Sequence, residues 1–271
     1  MFSRKLKRKF FVAALGFILA GTSYRTTIQE ILASNLERVV DMTTENAENA
    51  WNVIDVGQNE TASVEDVSSG EIKTWNDFES IPDYAGQTYV ELNGNKPYFT
   101  DEDLTTEAFE IYSDLDSIGR CGQAYANICK ELMPTEERGE IGMIKPSGWH
   151  TVKYPDVIKD RYLYNRCHLI AFCLAGENAN EKNLITGTRY LNVEGMLPFE
   201  TEVARYVENT NNHVLYRISP IFVSDELTCR GVEMEAFSVE DNGAGICFHI
   251  FAYNEQPGIT IDHRTGDSRE G

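Results

Sequence analysis

The chain has 271 residues and a formal net charge of −19, and 42% of its residues are hydrophobic and 11% aromatic. This composition excludes a disordered or collagen-like chain. The acidity argues against a polybasic protein that coats nucleic acid, because such a coat needs positive charge to replace the counterions of the phosphates. A chain of this length buries about 70–75% of its unfolded surface, so its core does not require disulfides.

The first 25 residues predict a segment separate from the fold. Residues 1–9 carry five basic residues and no acid, and residues 10–20 are an uncharged apolar run of 11. A basic stretch followed by a short apolar one is typical of a secretory signal, since a membrane-spanning helix needs about 20 apolar residues. We therefore expect residues 1–25 to be a signal peptide or an uncleaved N-terminal membrane anchor. Either one makes the protein secreted, or extracellular and attached to the membrane.

Residues 26–77 are predicted to form a helical segment and an acidic linker. Apolar residues recur at helical spacing between Ile28 and Val40, and residues 57–71 are poor in large apolar side chains. Residues 26–118 contain 21 acidic and three basic residues, a net charge of −18, whereas residues 119–271 carry only −7. Most of the acidity therefore precedes the second half of the chain, and the compact domain is predicted to span residues 78–271.

Within that domain the pattern predicts both helices and strands. A helix is expected over 119–132, strands over 149–154 and 162–168, and a second helix over 190–207, where apolar residues share one stripe. Strands are expected at 213–223, 231–239 and 246–253, and the turn residues Asp241-Asn242-Gly243 lead into the last of them. The three strands predict an antiparallel meander, and the whole order predicts an α+β fold.

The residues able to carry chemistry concentrate between 164 and 205. A metal-assisted phosphodiesterase needs a base that activates water, a hard divalent cation on oxygen ligands, and a positive charge beside the phosphate. This stretch contains Asn165-Arg166-Cys167-His168, followed by Asn183, Asn192 and Glu200.

Each requirement has a candidate in this stretch. His168 can accept a proton at neutral pH, because an unperturbed imidazole has a pKa of about 6.5. Asn192 offers an amide oxygen to Mg²⁺. Glu200 lies eight positions further, about 12 Å along an ideal helix, so it suits the holding of metal-bound waters better than direct ligation of the same ion.

This constellation resembles the DNA/RNA non-specific endonucleases of the ββα-metal type, in particular the DNA-entry nucleases of Gram-positive bacteria. The resemblance covers roughly residues 84–267. It implies a ββα-metal core with a mainly antiparallel sheet flanked by helices. It also implies an enzyme that hydrolyses DNA and RNA with Mg²⁺, for which Mn²⁺ could substitute.

The resemblance also implies roles for single residues. His168 would be the general base, Asn183 a supporting catalytic residue, Asn192 the metal ligand, and Glu200 a carboxylate acting on the metal through water. The family places a phosphate-binding arginine upstream of the His motif. Arg138 is the first candidate for that role, followed by Lys145 and Arg166.

The family motif has glycine where this chain has Cys167. Glycine serves backbone geometry, so either the backbone here does not need it, or the site is altered. An altered site would favour a catalytically impaired module that binds nucleic acid or another partner. A third alternative is a secreted nuclease toxin with an immunity protein as its partner.

Three further patterns bear on the site. Residues 138–170 carry six basic and three acidic residues, which predicts a locally basic cleft. The even number of cysteines permits disulfides in an exported chain, whereas a zinc site of Cys167, His168 and Cys173 lacks the usual paired spacing. The local candidate disulfides are Cys229–Cys247, Cys121–Cys129 and Cys167–Cys173, and the histidines predicted to be structural are His150, His213, His249 and His263.

Overall fold

The computed structural model of the protein describes residues 80–271. The predicted signal peptide or anchor at 1–25 and the predicted helix and linker at 26–77 lie outside these residues. None of the helices in the described range is long and apolar enough to cross a bilayer.

The described chain folds into ten strands, two α-helices and one π-helix. The π-helix, Leu191–Met196, leads directly into helix α2. The helices are α1 (Phe172–Ala175) and α2 (Leu197–Thr210), and the strands are β1 (Tyr89–Glu91), β2 (Phe109–Tyr112), β3 (Ala124–Ile128), β4 (Tyr164–His168), β5 (Leu184–Thr188), β6 (Val214–Ile221), β7 (Gly231–Ser238), β8 (Cys247–Tyr253), β9 (Ile259–Asp262) and β10 (Asp267–Glu270).

Six strands form one antiparallel sheet in the order β1-β8-β7-β6-β3-β2, and β4-β5 and β9-β10 form separate hairpins. The predicted meander is confirmed, because β6 pairs with β7 and β7 pairs with β8 in antiparallel register. Alternate residues of β7 point to opposite faces of the sheet. Val232, Met234 and Ala236 enter the main core, together with side chains from α2, the π-helix and the β4–β5 hairpin.

The other face of the sheet holds buried charges that bind the segment before β2. Arg217 Nε lies 2.6 Å from an oxygen of Glu235, whose second carboxylate oxygen accepts a hydrogen bond from the backbone N–H of Tyr98 at 2.7 Å. His249 Nε2 lies 2.7 Å from Glu233, and its Nδ1 lies 3.0 Å from the carbonyl oxygen of Lys96. This network compensates its own charges and fixes the N-terminal segment of the described chain against the sheet.

The helix predicted over 119–132 is wrong, because these residues contain strand β3. Its side chains alternate between the two faces of the sheet, and Ala124, Ala126 and Ile128 are fully buried in the main core. Strand β3 pairs with β2 on one side and β6 on the other, which satisfies its backbone hydrogen bonds and overrides the helical tendency of alanine.

Residues 149–154 form no named strand, although they run beside the chain that enters β4. Lys153 makes a single antiparallel bridge with Tyr162, and the backbone N–H of Leu163 donates to the carbonyl of Val152 at 3.1 Å. The strand predicted over 162–168 is present as β4, beginning at Tyr164.

All six cysteines are free, so none of the three candidate disulfides is formed. Cys247 begins β8 opposite Phe237, at the far end of β7 from Cys229. The two thiols are thus separated by about the length of the strand pair, roughly 25 Å. Cys121 and Cys129 flank the extended strand β3, and Cys167 is fully buried whereas Cys173 is exposed.

Candidate active site

A cavity of about 760 Å³ opens between strand β4, the π-helix, helix α2 and the loop that precedes β4. Five of the seven predicted site residues line it, namely Arg138, Arg166, His168, Asn192 and Glu200. Lys145 is exposed on the preceding loop and Asn183 is fully buried, and neither lines the cavity. The fold therefore brings the predicted base, metal ligand, carboxylate and two arginines to one place.

His168 ends β4, where it pairs with Leu184 of β5. Its Nε2 lies 2.8 Å from the backbone carbonyl oxygen of Asn178, and its Nδ1 lies 3.3 Å from Nη2 of Arg138. A carbonyl oxygen only accepts hydrogen bonds, so Nε2 carries the proton and Nδ1 is left with the lone pair. The geometry therefore fixes the tautomer in which Nδ1 can accept a proton.

The surroundings of His168 favour the neutral imidazole. Burial lowers the pKa of His168, and the positive charge of Arg138 lowers it further, while the hydrogen bond to Asn178 opposes these effects. His168 is therefore unprotonated at neutral pH, which is the state that a general base requires.

Asn192 lies on the π-helix, where the backbone N–H of Leu197 donates to the carbonyl oxygen of Asn192. This i→i+5 bond widens the turn that carries Asn192, and such turns occur frequently at functional sites. Glu200 follows in the first turn of α2 and lines the same cavity. The sequence prediction of one continuous regular helix missed this widened turn.

Glu200 is a buried carboxylate that the described residues leave without a hydrogen-bond donor. It is 8% exposed, and burial raises its pKa to about 8, which the charge of Arg138 only partly offsets. Deeper in the core, the fully buried hydroxyl of Tyr216 also lacks a hydrogen-bond partner within the described range.

The side-chain oxygens of Glu200 and Asn192 suit a divalent cation. The Glu200 carboxylate and the Asn192 amide oxygen line the same cavity and are hard oxygen donors, the type that Mg²⁺ prefers, and the charge of the ion would compensate the burial of Glu200. Elsewhere in the described range, Glu233, Glu235 and His249 have ligand atoms within 4.8 Å of one another. It belongs to the charge network on the other face of the sheet.

Cys167 does not disturb this arrangement. Its backbone is that of an ordinary strand residue without positive φ, and its side chain is fully buried in the main core. The side chain points away from the cavity that His168 lines, so Cys167 and His168 do not face a common metal position. The backbone before His168 therefore does not need glycine.

Two of the predicted site residues, Arg166 and Asn183, form hydrogen bonds with backbone groups of neighbouring segments. Arg166 donates from Nη2 to the carbonyl of Gly142 at 2.8 Å and from Nε to the carbonyl of Ile144, and its guanidinium lies 4.0 Å from the ring centre of Trp149. Asn183 accepts from the backbone N–H of Ile170 at 2.8 Å and donates to the carbonyl of the same residue at 3.0 Å. Arg166 thus holds the cavity wall, and Asn183 holds the chain after His168.

The sequence prediction missed other parts of the site. Arg189 lines the cavity and forms an ion pair with Asp160, with an Nε to Oδ2 distance of 2.7 Å. It precedes Asn192 by three positions, a helical spacing that could have identified it. The contribution of Asn178 is a backbone carbonyl, which no side-chain pattern reveals. Aromatic residues also line the cavity, namely Trp149, Tyr162, Tyr164 and Phe172.

Comparison with known proteins gives one family and several related structures. The family model for DNA/RNA non-specific endonucleases matches residues 100–240. NucA from Streptococcus agalactiae with no metal bound is 24% identical, with a TM-score of 0.62 over 72% of this chain and 92% of NucA.

Two further structures are similar. NucA from Streptococcus agalactiae with magnesium bound is 24% identical, with a TM-score of 0.59 over 67% of this chain and 86% of NucA. The Sda1 nuclease with bound zinc is 25% identical, with a TM-score of 0.57 over 68% of this chain and 97% of Sda1. No curated protein matches the chain.

Proposed function

The chain belongs to the DNA/RNA non-specific endonuclease family and is a nuclease, and from this premise we propose that it is an exported, Mg²⁺-dependent endonuclease that cuts DNA and RNA with little sequence preference. The observation that carries the proposal is the fixed tautomer of His168. Its unprotonated Nδ1 belongs to a cavity that also holds Asn192 and Glu200.

In the proposed reaction, His168 accepts a proton at Nδ1 from the water that attacks phosphorus, while the bond from phosphorus to the 3′ oxygen breaks and the leaving oxygen takes up a proton from solvent. Its Nε2–H stays bonded to the Asn178 carbonyl, which keeps the ring in one orientation during the transfer. The buried environment disfavours the imidazolium that results, so the proton passes on to solvent and the neutral base is restored.

Arg138 takes the role of phosphate contact. It is exposed, and its Nη2 lies 3.3 Å from Nδ1 of His168, close to where the attacked phosphate and its water must lie. An incoming phosphate competes for this guanidinium and draws it from the imidazole, because arginine binds phosphate oxygens with charged, often bidentate hydrogen bonds. Arg166 and Asn183 act as positioning residues that hold the cavity wall and the chain after the base.

Asn192 and Glu200 are proposed to hold the metal, Asn192 through its amide oxygen and Glu200 through waters. When bound, Mg²⁺ supplies Lewis-acid stabilisation of the charge that develops on the phosphate and the leaving oxygen. The magnesium in NucA and the zinc in Sda1 support a metal in proteins of this fold. The oxygen donors of this chain favour the harder ion.

Low sequence preference and export rest on separate observations. The cations of the cavity suit phosphate, whose contacts carry no sequence information. The basic and then apolar residues 1–20 support export, with attachment to the membrane if the segment is not cleaved. The Cys167 side chain is accommodated in the core, which argues against the alternative of a catalytically impaired binding module.

The test is nicking of supercoiled plasmid, and of a structured RNA in parallel, by the purified protein with Mg²⁺, with EDTA, and with Mn²⁺. We expect cutting with either metal, none with EDTA, and a loss of at least about a hundredfold in His168→Ala and Asn192→Ala. Thermal unfolding of both variants should match that of the wild type. DNA binding without any cutting in Mg²⁺ or Mn²⁺ would refute the proposal, and full activity of Asn192→Ala would refute the metal assignment.

A further inference from the structure

The cavity extends as a groove along one face of strand β4. Four alternate residues of this extended segment, Tyr162, Tyr164, Arg166 and His168, line it, and the intervening Asn165 also reaches it. Tyr162 lies six positions before His168, about 20 Å along an extended chain. The far end of the groove is thus several nucleotides away from the phosphate that His168 would serve.

Tyr162 presents an aromatic ring to solvent at this far end. The side chain is 44% exposed, although large apolar residues of the described chain are mostly buried. Lys153 is its cross-strand partner through the single antiparallel bridge, and Nζ of Lys153 lies 4.7 Å from the centre of the Tyr162 ring. The ammonium of Lys153 therefore lies over one face of the Tyr162 ring, and no carboxylate within residues 80–271 pairs with it.

The turn that precedes Tyr162 contains a left-handed residue and an ion pair to the cavity wall. Arg161 has a φ of 70°, a left-handed conformation that is unusual for a residue other than glycine. The neighbouring Asp160 pairs with Arg189, which lines the cavity on the side of Asn192. The turn that presents the Tyr162 ring is thereby linked by an ion pair to the wall of the cavity.

From this arrangement we infer that Tyr162 and Lys153 bind one unstacked nucleotide of a single-stranded segment, with the base on the face of the Tyr162 ring opposite Lys153 and the adjacent phosphate on Nζ of Lys153. The inference rests on the proposed function and specifies its substrate. Aromatic rings beside cations bind single strands without sequence preference, since every base has a face that can stack. In a duplex both faces of each base are covered by its neighbours, so a duplex gains only the phosphate contact.

The consequence is a preference for single-stranded substrate that depends on the ring of Tyr162. Loss of one base stacked on an aromatic ring corresponds to about a tenfold loss of affinity. Tyr162→Leu should therefore lower the affinity for a single-stranded oligonucleotide about tenfold, and Tyr162→Phe, which keeps the ring, should retain most of it. Lys153→Gln should weaken single-strand and duplex binding alike and reduce the salt dependence of both.

The experiment measures binding by fluorescence anisotropy in EDTA and cleavage in Mg²⁺. The ligands are a single-stranded oligonucleotide, its duplex, and the same single strand with abasic sites. Tyr89→Leu is the matched control, because Tyr89 is 40% exposed and does not line the cavity. We expect Tyr162→Leu to lower the ratio of single-strand to duplex affinity about tenfold, and the same ratio of cleavage rates about tenfold. Abasic sites should lower the affinity of the wild type for the single strand by a similar factor.

The inference is overturned if Tyr162→Leu lowers single-strand and duplex binding equally, or if abasic sites leave wild-type binding unchanged. The second result does not depend on how any variant folds. Failure of the wild type to cut any of the three substrates in Mg²⁺ would refute the proposed function, and the anisotropy data would still decide whether Tyr162 binds a base.

Discussion

Gly187 leaves the space that the side chain of Cys167 fills. A Cβ at position 187 would lie 2.3 Å from Sγ and 3.1 Å from Cβ of Cys167. Cys167 pairs with Ile185 in the β4–β5 hairpin, so Gly187 is its diagonal neighbour. The two positions are thus complementary, with the side chain on β4 and the glycine on β5.

This complementarity predicts strong coupling between the two positions. We expect Gly187→Ala to lower the free energy of unfolding by about 1–3 kcal/mol through overpacking, and Cys167→Gly to lower it by about 1–3 kcal/mol through a cavity and a more flexible strand. In the double variant the new methyl group occupies the space of the lost thiol, so the loss should be smaller than the sum. Urea unfolding of the four proteins measures the coupling, and additivity within about 0.5 kcal/mol would contradict it.

The outcome for Cys167 illustrates what the sequence could predict about the site. Side-chain types and their order predicted His168, Asn192 and Glu200 as site residues, and the structure brings these three to one cavity. The position of Gly187 relative to Cys167 depends on hairpin register, which a pattern along one strand does not contain. The widened turn at Asn192 and the Asn178 carbonyl are likewise properties of backbone geometry.

For the fold, too, only the locally encoded elements could be predicted from the sequence. Strand β6 is a β-branched and aromatic run, β7 alternates, and a turn leads into β8, so local signals agree with the tertiary structure. Strand β3 was missed because its alanines favour a helix in isolation and become strand residues only between β2 and β6. The buried charges of Glu233 and Glu235 could not be placed either, because their partners come from other strands and from the segment before β2.

The contact between Arg138 and His168 predicts the pH dependence of cleavage. In the proposed reaction His168 is the neutral base, and its pKa is lowered from 6.5, so kcat/KM should stay on its plateau as the pH falls through 6.5 and decline only below it. Arg138→Gln removes a positive charge that lowers this pKa. The acid limb of the profile should therefore move to higher pH, and the plateau should fall because a phosphate contact is lost.

The measurement is the midpoint of the acid limb of kcat/KM for the wild type and Arg138→Gln at saturating Mg²⁺. Lys130→Gln is the control, because it removes an exposed cation that does not line the cavity. An unchanged midpoint in Arg138→Gln would show that the guanidinium does not lie beside Nδ1 in solution.

Asn183 is expected to contribute mainly to stability. Asn183→Ala leaves the N–H and C=O groups of Ile170 without their side-chain partner in a buried position. The free energy of unfolding should fall by about 2–4 kcal/mol, the cost of two unsatisfied buried groups. Asn180→Ala is the matched control, since it removes a single bond to the backbone N–H of Lys182 and should cost about 1 kcal/mol.

Chemical denaturation of Asn183→Ala and Asn180→Ala tests this assignment. The cleavage rate of Asn183→Ala, corrected for the fraction of folded protein, should fall only as far as the chain after His168 changes position. A stability equal to the wild type together with abolished cleavage would instead place the Asn183 amide against the substrate.

The last prediction concerns the uneven charge of the chain. Residues 26–71 contain ten acidic residues and one basic residue, and residues 138–170, which supply much of the cavity wall, are locally basic. The acidic segment repels phosphates, so its deletion should tighten DNA binding, most strongly at low salt where screening is weakest. The test is anisotropy with duplex DNA in EDTA across a salt series, with the full chain and the deletion variant. A salt profile that the deletion leaves unchanged would show that these acids serve solubility alone, because charges that act on DNA must alter the salt dependence of its binding.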